Sequence, residues 1–351
     1  MVTGFFSGRG RYYHHTIGIP GGSPMTRWTT LLLLSLIMPG QVPAAKVYRC
    51  HDEAGGTLFQ QIPCGGLVPE EDDAATRSHQ RERHILWRLR EKGVTLYLLG
   101  SIHFGNTRLY PLPPVMEEAF VAADALVVEV DTTALDPREA AGRMAAAGLY
   151  GEGGSLRRIV DDAAWRRLSR VAGRLGIPQE LLAMQKPWFA AMNLAVAAIQ
   201  ASGYDSRWGV DRHFMEAAAA EGKSIIELEG LSTQLALMDG LPAAAQRAML
   251  MESLREAEDG GDYFSELMDA WRRGDPAELA RLVEAGFEGT PEGRVLYETF
   301  LARRNRAMAD RLEQLMAKGG RYFVVVGAAH LVGPAGLVRQ LRARGHRLEQ
   351  L

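Results

Sequence analysis

The chain has 351 residues, enough for one large domain and a small one, and 47% of them are hydrophobic. Its 40 Lys and Arg stand against 42 Asp and Glu, a formal net charge of −2. That balance lacks the basic excess of a nucleic-acid binder; no acidic tail is present, nor any fixed-period repeat of the solenoid type.

Residues 1–24 are rich in Gly and turn formers and show no sustained period. They read as a non-native or disordered leader, with His14 and His15 incidental. Met25 opens a second beginning. A short basic segment, Thr26-Arg27, is followed by the apolar run Leu31–Met38, a Pro39-Gly40 break and small residues at Val42-Pro43-Ala44. This is the grammar of a cleavable signal peptide over residues 25–45, with an apolar run too short to span a bilayer. The expectation is a mature chain from near Ala45 or Lys46, periplasmic or secreted, without a stable membrane span.

Residues 46–66 hold both cysteines of the chain. Val47–Arg49 and Thr57–Gln60 can pair as a hairpin across Ala54-Gly55-Gly56. In an exported protein, a Cys50–Cys64 disulfide is the natural reading. The loop it closes has 15 residues. By loop entropy that closure stabilises by roughly 3 kcal/mol. A metal or redox pair is the competing reading, but the spacing is not CxxC. The segment resembles the small two-cysteine domain found at the N-termini of many proteobacterial envelope proteins. Residues 67–83 are a polar linker with an acidic run, Glu70–Asp73.

The main domain begins at His84. Ile85, Trp87 and Leu89 alternate as a strand does, and Glu91-Lys92-Gly93 turns into a second, unbroken apolar run, Thr95–Leu99. Gly100-Ser101-Ile102-His103 ends it. The same grammar returns at Tyr322–Val326, followed by Gly327 and, three residues later, His330. Such runs read as strands buried on both faces of a parallel sheet covered by helices. With 38 Gly and 9 His, chance supplies about one Gly-x-x-His, so the strand context carries the signal. Two further runs, Ala125–Val130 and Ser224–Leu228, bring Glu129 and Asp131, and Glu227 and Glu229, to their ends. In open α/β sheets, ligands bind at the carboxyl ends of the strands. His103, Glu129, Glu229 and His330 therefore form the candidate site.

Between the strands the spacing predicts helices. One starts at Pro113-Pro114. Others cover Arg138–Ala147, Asp161–Leu175 and Gln179–Ala201, with breaks at Gly151–Gly154 and Ile177-Pro178. Phe189–Ile199 is very apolar but too short to be a membrane span. Asp211 and His213 stand two apart on a predicted helix, so they do not face each other, which disfavours a shared metal. Residues 231–318 are again helical, ending in a helix that carries Arg303, Arg304 and Asn305. A charged run there is usually a solvated face, yet this helix immediately precedes the His330 strand. A last helix, Ala335–Arg344, leads to an edge strand at His346-Arg347-Leu348.

From about residue 84 to the end, the sequence resembles the TraB/GumN family, related to the Tiki proteases. The matching residues are Gly100-Ser101-Ile102-His103, Glu129-Val130-Asp131, Trp208-Gly209-Val210-Asp211, Leu228-Glu229, Arg304-Asn305 and Gly327-Ala328-Ala329-His330-Leu331. The resemblance implies a three-layer α/β/α fold with a mainly parallel central sheet and large helical insertions, residues 84–351 forming one domain. It also implies a metal-dependent hydrolase, peptidase-like, with His103, Glu129 and His330 as ligands to a divalent metal such as Mn, Co or Zn. Glu229 is then a further ligand or general base, and Arg304, with Asn305, a stabiliser of developing negative charge. The substrate is a peptide or a small molecule. Two rival readings stand beside it. In one, His103 is the general base of a metal-free, esterase-like hydrolase. In the other, the protein binds haem, metal or a peptide without turnover. No Gly-x-Ser-x-Gly elbow is present, which disfavours an acyl-enzyme.

Overall fold

The computed structural model describes residues 48–51, 57–60, 83–260 and 262–351. In the first two stretches, β1 (Tyr48–His51) and β2 (Thr57–Gln60) pair antiparallel, Tyr48 opposite Gln60. The expected hairpin therefore forms. Cys64, the leader, the signal-peptide segment and nearly all of the linker lie outside the described residues.

The main domain opens with β3 (Leu86–Glu91) and β4 (Val94–Ser101), joined by a tight turn in which Gly93 takes φ +84°. α1 (Pro114–Ala122) leads to β5 (Ala125–Val128). A helical insertion follows: α2 (Pro137–Gly148), α3 (Asp162–Arg174), α4 (Gln179–Ala183), α5 (Pro187–Ala201) and α6 (Val210–Glu221). Then come β6 (Ser224–Glu227) and a second helical stretch: α7 (Leu231–Asp239), α8 (Ala243–Asp259), α9 (Asp262–Arg272), α10 (Pro276–Phe287), α11 (Pro291–Tyr297) and α12 (Arg303–Met316). β7 (Gly320–Gly327), α13 (Leu337–Ala343) and β8 (Leu348–Gln350) close the chain.

Six strands form one mixed sheet in the order β6-β5-β7-β4-β3-β8. β4, β7, β5 and β6 run parallel; β3 lies antiparallel between β4 and the edge strand β8. This is an α/β fold, with the two Gly-x-x-His strands side by side at its centre. Leu96, Leu98, Leu99, Val324, Val325 and Val326 are each at most 1% exposed, which sets these two strands in the middle of the core. Burial of each such side chain contributes roughly 1.5–3 kcal/mol. Gly100 is required for close approach. A Cβ there would sit 2.5 Å from Ile85 Cγ2 and 3.0 Å from Ala328 Cα, so the chain can enter the His103 turn only without a side chain.

The helix expected over Gln179–Ala201 is two helices. α4 ends at Ala183 and α5 begins at Pro187. Pro187 has no N–H for the carbonyl four residues back, and its ring crowds that turn, so it serves as the first residue of a new helix. The broken segment is held elsewhere: Lys186 N donates to Gly148 O (2.7 Å), and Gln185 bridges to Leu149. No helix among the described residues is long and apolar enough to cross a membrane.

Candidate functional site

The parallel strands deliver their carboxyl ends to one rim. His103 follows β4 in an irregular turn. The amino end of α6 is drawn against it: Val210 N donates to Ile102 O (2.9 Å), and a Cβ on Gly209 would lie 2.6 Å from His103 O. That approach brings Asp211 Oδ1 to 3.1 Å from His103 Nδ1, both side chains buried. Nε2 of His103 is buried without a hydrogen-bond partner. Burial drives the imidazole pKa down, but the charge of Asp211, its side-chain contact and the charge of Glu129 outweigh that and leave it raised.

His330 sits in a single 3₁₀ turn after β7 and is fully buried. Asn305 holds it. Asn305 Nδ2 donates to Ala335 O (2.8 Å), so its Oδ1 accepts from His330 Nδ1 at 2.5 Å. With Nδ1 protonated, a neutral His330 presents its Nε2 lone pair to Glu129 Oε2, 3.7 Å away. His103 Nδ1 and Asp211 Oδ1 stand 3.1 Å apart without hydrogen-bond alignment, so their contact is one of charge.

Glu129, just past β5, is completely buried. Its Oε1 accepts from Gly327 N (2.7 Å), and its Oε2 accepts from Arg304 (2.5 Å) and Gln234 Nε2 (3.4 Å). Burial raises its pKa; Arg304 opposes, Glu229 reinforces, and the net direction is up. Glu229, just past β6, takes a forked pair from Arg304, Nε to Oε1 at 2.8 Å and a terminal nitrogen to Oε2 at 2.7 Å. Gln234 Nε2 also donates to Glu229 Oε2 (3.2 Å).

Arg304 reaches these carboxylates from the start of α12. A π-helical turn, Glu298–Ala302, precedes it, and the Phe300 carbonyl released there accepts from the Arg304 guanidinium (3.3 Å). Burial lowers the guanidinium pKa, and Glu129 and Glu229 more than restore it. Of the expected rim residues, Glu129, Glu229, His330, Arg304 and Asn305 are thus linked contact by contact, while His103 pairs with Asp211 and lies near enough for the charges of Glu129 and Arg304 to act on it. Arg304 lies between two carboxylates, and Asn305 acts on His330. Arg303, by contrast, is exposed.

Two members of the network had no role in the sequence reading. Asp211 stood in the Trp208–Asp211 motif as a residue entering a helix. Gln234 carried no signal at all: it is one polar residue on α7, brought in by tertiary packing.

With the three carboxylates ionised and the imidazoles neutral, a single guanidinium leaves two negative charges in excess. Among the described residues no three His, Cys, Asp or Glu side chains stand close enough to form a ready metal cluster. The donor chemistry nevertheless suits a divalent cation. His103 and His330 offer ring nitrogens, and Glu129 Oε2 lies 3.7 Å from His330 Nε2.

Fold and site together define an α/β protein with a buried histidine–carboxylate–arginine centre at the carboxyl rim of its sheet. The chain belongs to the TraB/PrgY/gumN family, whose model matches residues 85–350. It is 29% identical to the uncharacterized protein YbaP of Escherichia coli (strain K12) over 246 residues, 70% of this chain and 87% of the relative. The same figures hold for YbaP of Shigella flexneri. No solved structure matches the chain significantly.

Proposed function

We propose that this centre binds a divalent cation and that the protein is an exported, metal-dependent hydrolase acting on a peptide or small-molecule substrate. The observation that carries the reading is the paired imidazoles. His103 Nδ1 lies 3.1 Å from Asp211 Oδ1, His330 Nδ1 is held by Asn305 Oδ1, and His330 Nε2 faces Glu129 Oε2 at 3.7 Å. His103 Nε2, His330 Nε2 and Glu129 Oε2 would hold the cation, with Arg304 sharing the carboxylate. A cation bound there supplies Lewis acidity toward a carbonyl oxygen and acidifies water. Asp211 and Asn305 hold the two rings in register. Glu229, on the solvent side, is placed to pass a proton between the centre and bulk water. Arg304 and Gln234 fix the orientation of its carboxylate. The burial of Glu129, Arg304 and His330 strengthens these interactions by excluding water.

The test is cation retention. Protein stripped with chelator and exposed to Mn²⁺, Co²⁺ or Zn²⁺ should retain cation through desalting. His103→Ala and His330→Ala should each abolish retention; both side chains are buried, so the melting temperature is read alongside. Retention unchanged in both variants, with lowered melting temperature, would assign the histidines to structure.

The His103–Asp211 contact favours one alternative, His103 Nε2 as a general base acting directly on water. Under that reading hydrolysis survives exhaustive chelation and is lost in Asp211→Asn.

A further inference from the structure

The central sheet has two edge strands, β8 and β6, and they are finished differently. On β8 the Leu348 carbonyl is occupied: Arg342 Nη2 from α13 donates to it (2.9 Å). Exposed Arg347 and Glu349 stand beside it. Charged side chains and occupied backbone groups are the usual means by which a sheet edge is kept from pairing with another chain.

β6 carries no such guard. It pairs with β5 on one side and, among the described residues, with no strand on the other. Successive residues of a parallel strand direct their backbone groups to opposite sides. Leu228 N donates to Val128 O (2.8 Å), so Ile226 and Ser224 also face β5. Ile225 and Glu227 therefore turn their N–H and C=O groups outward, and no hydrogen bond among the described residues meets them. All four residues of β5 are buried, whereas Ser224 and Glu227 are exposed and the two isoleucines half-buried. Ile225 and Ile226 still pack against the main core, so the strand is held in place while its edge stays open.

Charge decides what fits there. Exposed Glu221, at the end of α6, and exposed Glu227 stand at the two ends of the strand. The one nearby lysine is turned away: Lys223 Nζ donates to Phe120 O (2.6 Å) and Ala123 O (2.7 Å). Two copies of this chain meeting edge to edge would set carboxylates against carboxylates. A basic segment would find them complementary.

We infer that β6 is a docking edge for an extended, basic peptide segment, which adds to the sheet as a further strand. Its main chain bonds to Ile225 and Glu227, and its Lys or Arg side chains meet Glu221 and Glu227. A peptide laid there is carried toward the rim, since Glu229 follows the end of β6 by two residues. Calling that peptide a substrate rests on the hydrolase reading above; the docking rests on the strand edge alone.

The experiment is fluorescence anisotropy of a labelled peptide of alternating Val and Lys, titrated with the full chain after chelator treatment. The peptide should bind. Its counterpart N-methylated at every residue keeps the charge and loses the backbone donors, and should bind at least about tenfold more weakly. Ile225→Pro removes one outward N–H and leaves the bonds to β5, a place where an edge strand tolerates proline. It should weaken binding by about tenfold with the melting temperature unchanged. Glu227→Lys, on an exposed side chain, keeps the test alive if the proline variant fails to fold, and should weaken binding of the same peptide. Equal binding of the two peptides overturns the inference, because charge alone then holds them. So does the absence of binding, or affinity unchanged in the folded variants. A dimer of the free protein in sedimentation that Ile225→Pro dissociates overturns it in favour of a second copy. Cleavage of the Val-Lys peptide on adding Mn²⁺ is a separate readout. A peptide bound through the edge and left uncut counts against the hydrolase reading and not against the docking edge.

Discussion

Among the described residues, buried histidine–carboxylate contacts fall in two places, and the places differ in what surrounds them. On the flank of α6, His213 Nε2 lies 2.9 Å from Glu117 Oε1, both residues at most 1% exposed. Its walls are aromatic: Tyr110 at 5.2 Å and Phe214 at 4.9 Å between ring centroids. At the rim, His103 and His330 meet three carboxylates and one guanidinium. Both places contain buried nitrogens without hydrogen-bond partners. Burial of an imidazole beside a carboxylate is therefore no sign of a site by itself. What separates the two is the number of charged groups. Glu117 and His213 stand alone between α1 and α6, whereas the rim gathers carboxylates and an arginine from strand ends and helices.

The largest effect should come from removing the single counter-ion. Arg304→Met leaves Glu129 and Glu229 buried and facing each other. Breaking a buried pair from one side costs about 3–5 kcal/mol, measurable by urea denaturation at pH 7. The pH dependence has a definite sign. Glu129 is already raised above its ordinary 4.5 in the folded protein, and the variant loses the arginine that opposes the rise. A carboxylate raised on folding holds a proton that it releases on unfolding. Stability of the variant should therefore fall as pH rises from the unfolded value through the folded one, and recover in acid. A flat profile would mean that the rim carries no excess charge, and the contrast with the aromatic-walled pair would disappear.

Asp211→Asn comes next. In His103, burial pulls the pKa down and Asp211 is the chief opposing influence. Without that charge the direction should reverse, seen in an NMR titration of the ring. Cation affinity should drop about 10- to 100-fold, the usual cost of losing the partner that orients a ligating imidazole. Glu117→Gln is the matched control. His213 can still donate to the amide oxygen, so the cost should be about 1 kcal/mol, with cation retention unchanged. If Glu117→Gln weakens retention as much as Asp211→Asn does, the two contacts are one coupled system.

The sequence reveals the rim and hides what supports it, for physical reasons. Thr95–Leu99 and Tyr322–Val326 are unbroken apolar runs because β4 and β7 are covered on both faces, and that alone fixes where His103 and His330 emerge. Glu129 and Glu229 follow from the same logic at β5 and β6. Arg304 and Asn305 were placed by family resemblance, and the sequence could not say that the arginine faces two carboxylates. Asp211 and Gln234 lie on helices whose docking depends on Gly209 and Gly230, so no periodicity marks them. The break between α4 and α5 is hidden in the sequence because Pro187 begins a helix as readily as it interrupts one.

The smallest effect should come from a pair outside both buried regions. Arg167 on α3 makes a forked contact with Glu258 on α8, at 3.2 Å and 2.6 Å, with side chains 37% and 27% exposed. The hydrogen bonds from Arg167 hold the Glu258 carboxyl below its ordinary value. A carboxylate depressed on folding stabilises above the unfolded pKa and ceases to do so as pH falls through the folded one. Glu258→Gln should therefore cost about 0.2–1 kcal/mol at pH 7 and nothing at pH 2. The pair also sets a scale for screening. Raising salt from 0.1 M to 1 M shortens the Debye length from about 10 Å to about 3 Å, which weakens a solvent-exposed pair and barely reaches a fully buried one. Double-mutant cycles at both salts should show the Arg167–Glu258 coupling shrinking while that of Arg304 with Glu129 persists. Equal salt sensitivity would mean that water reaches the rim centre.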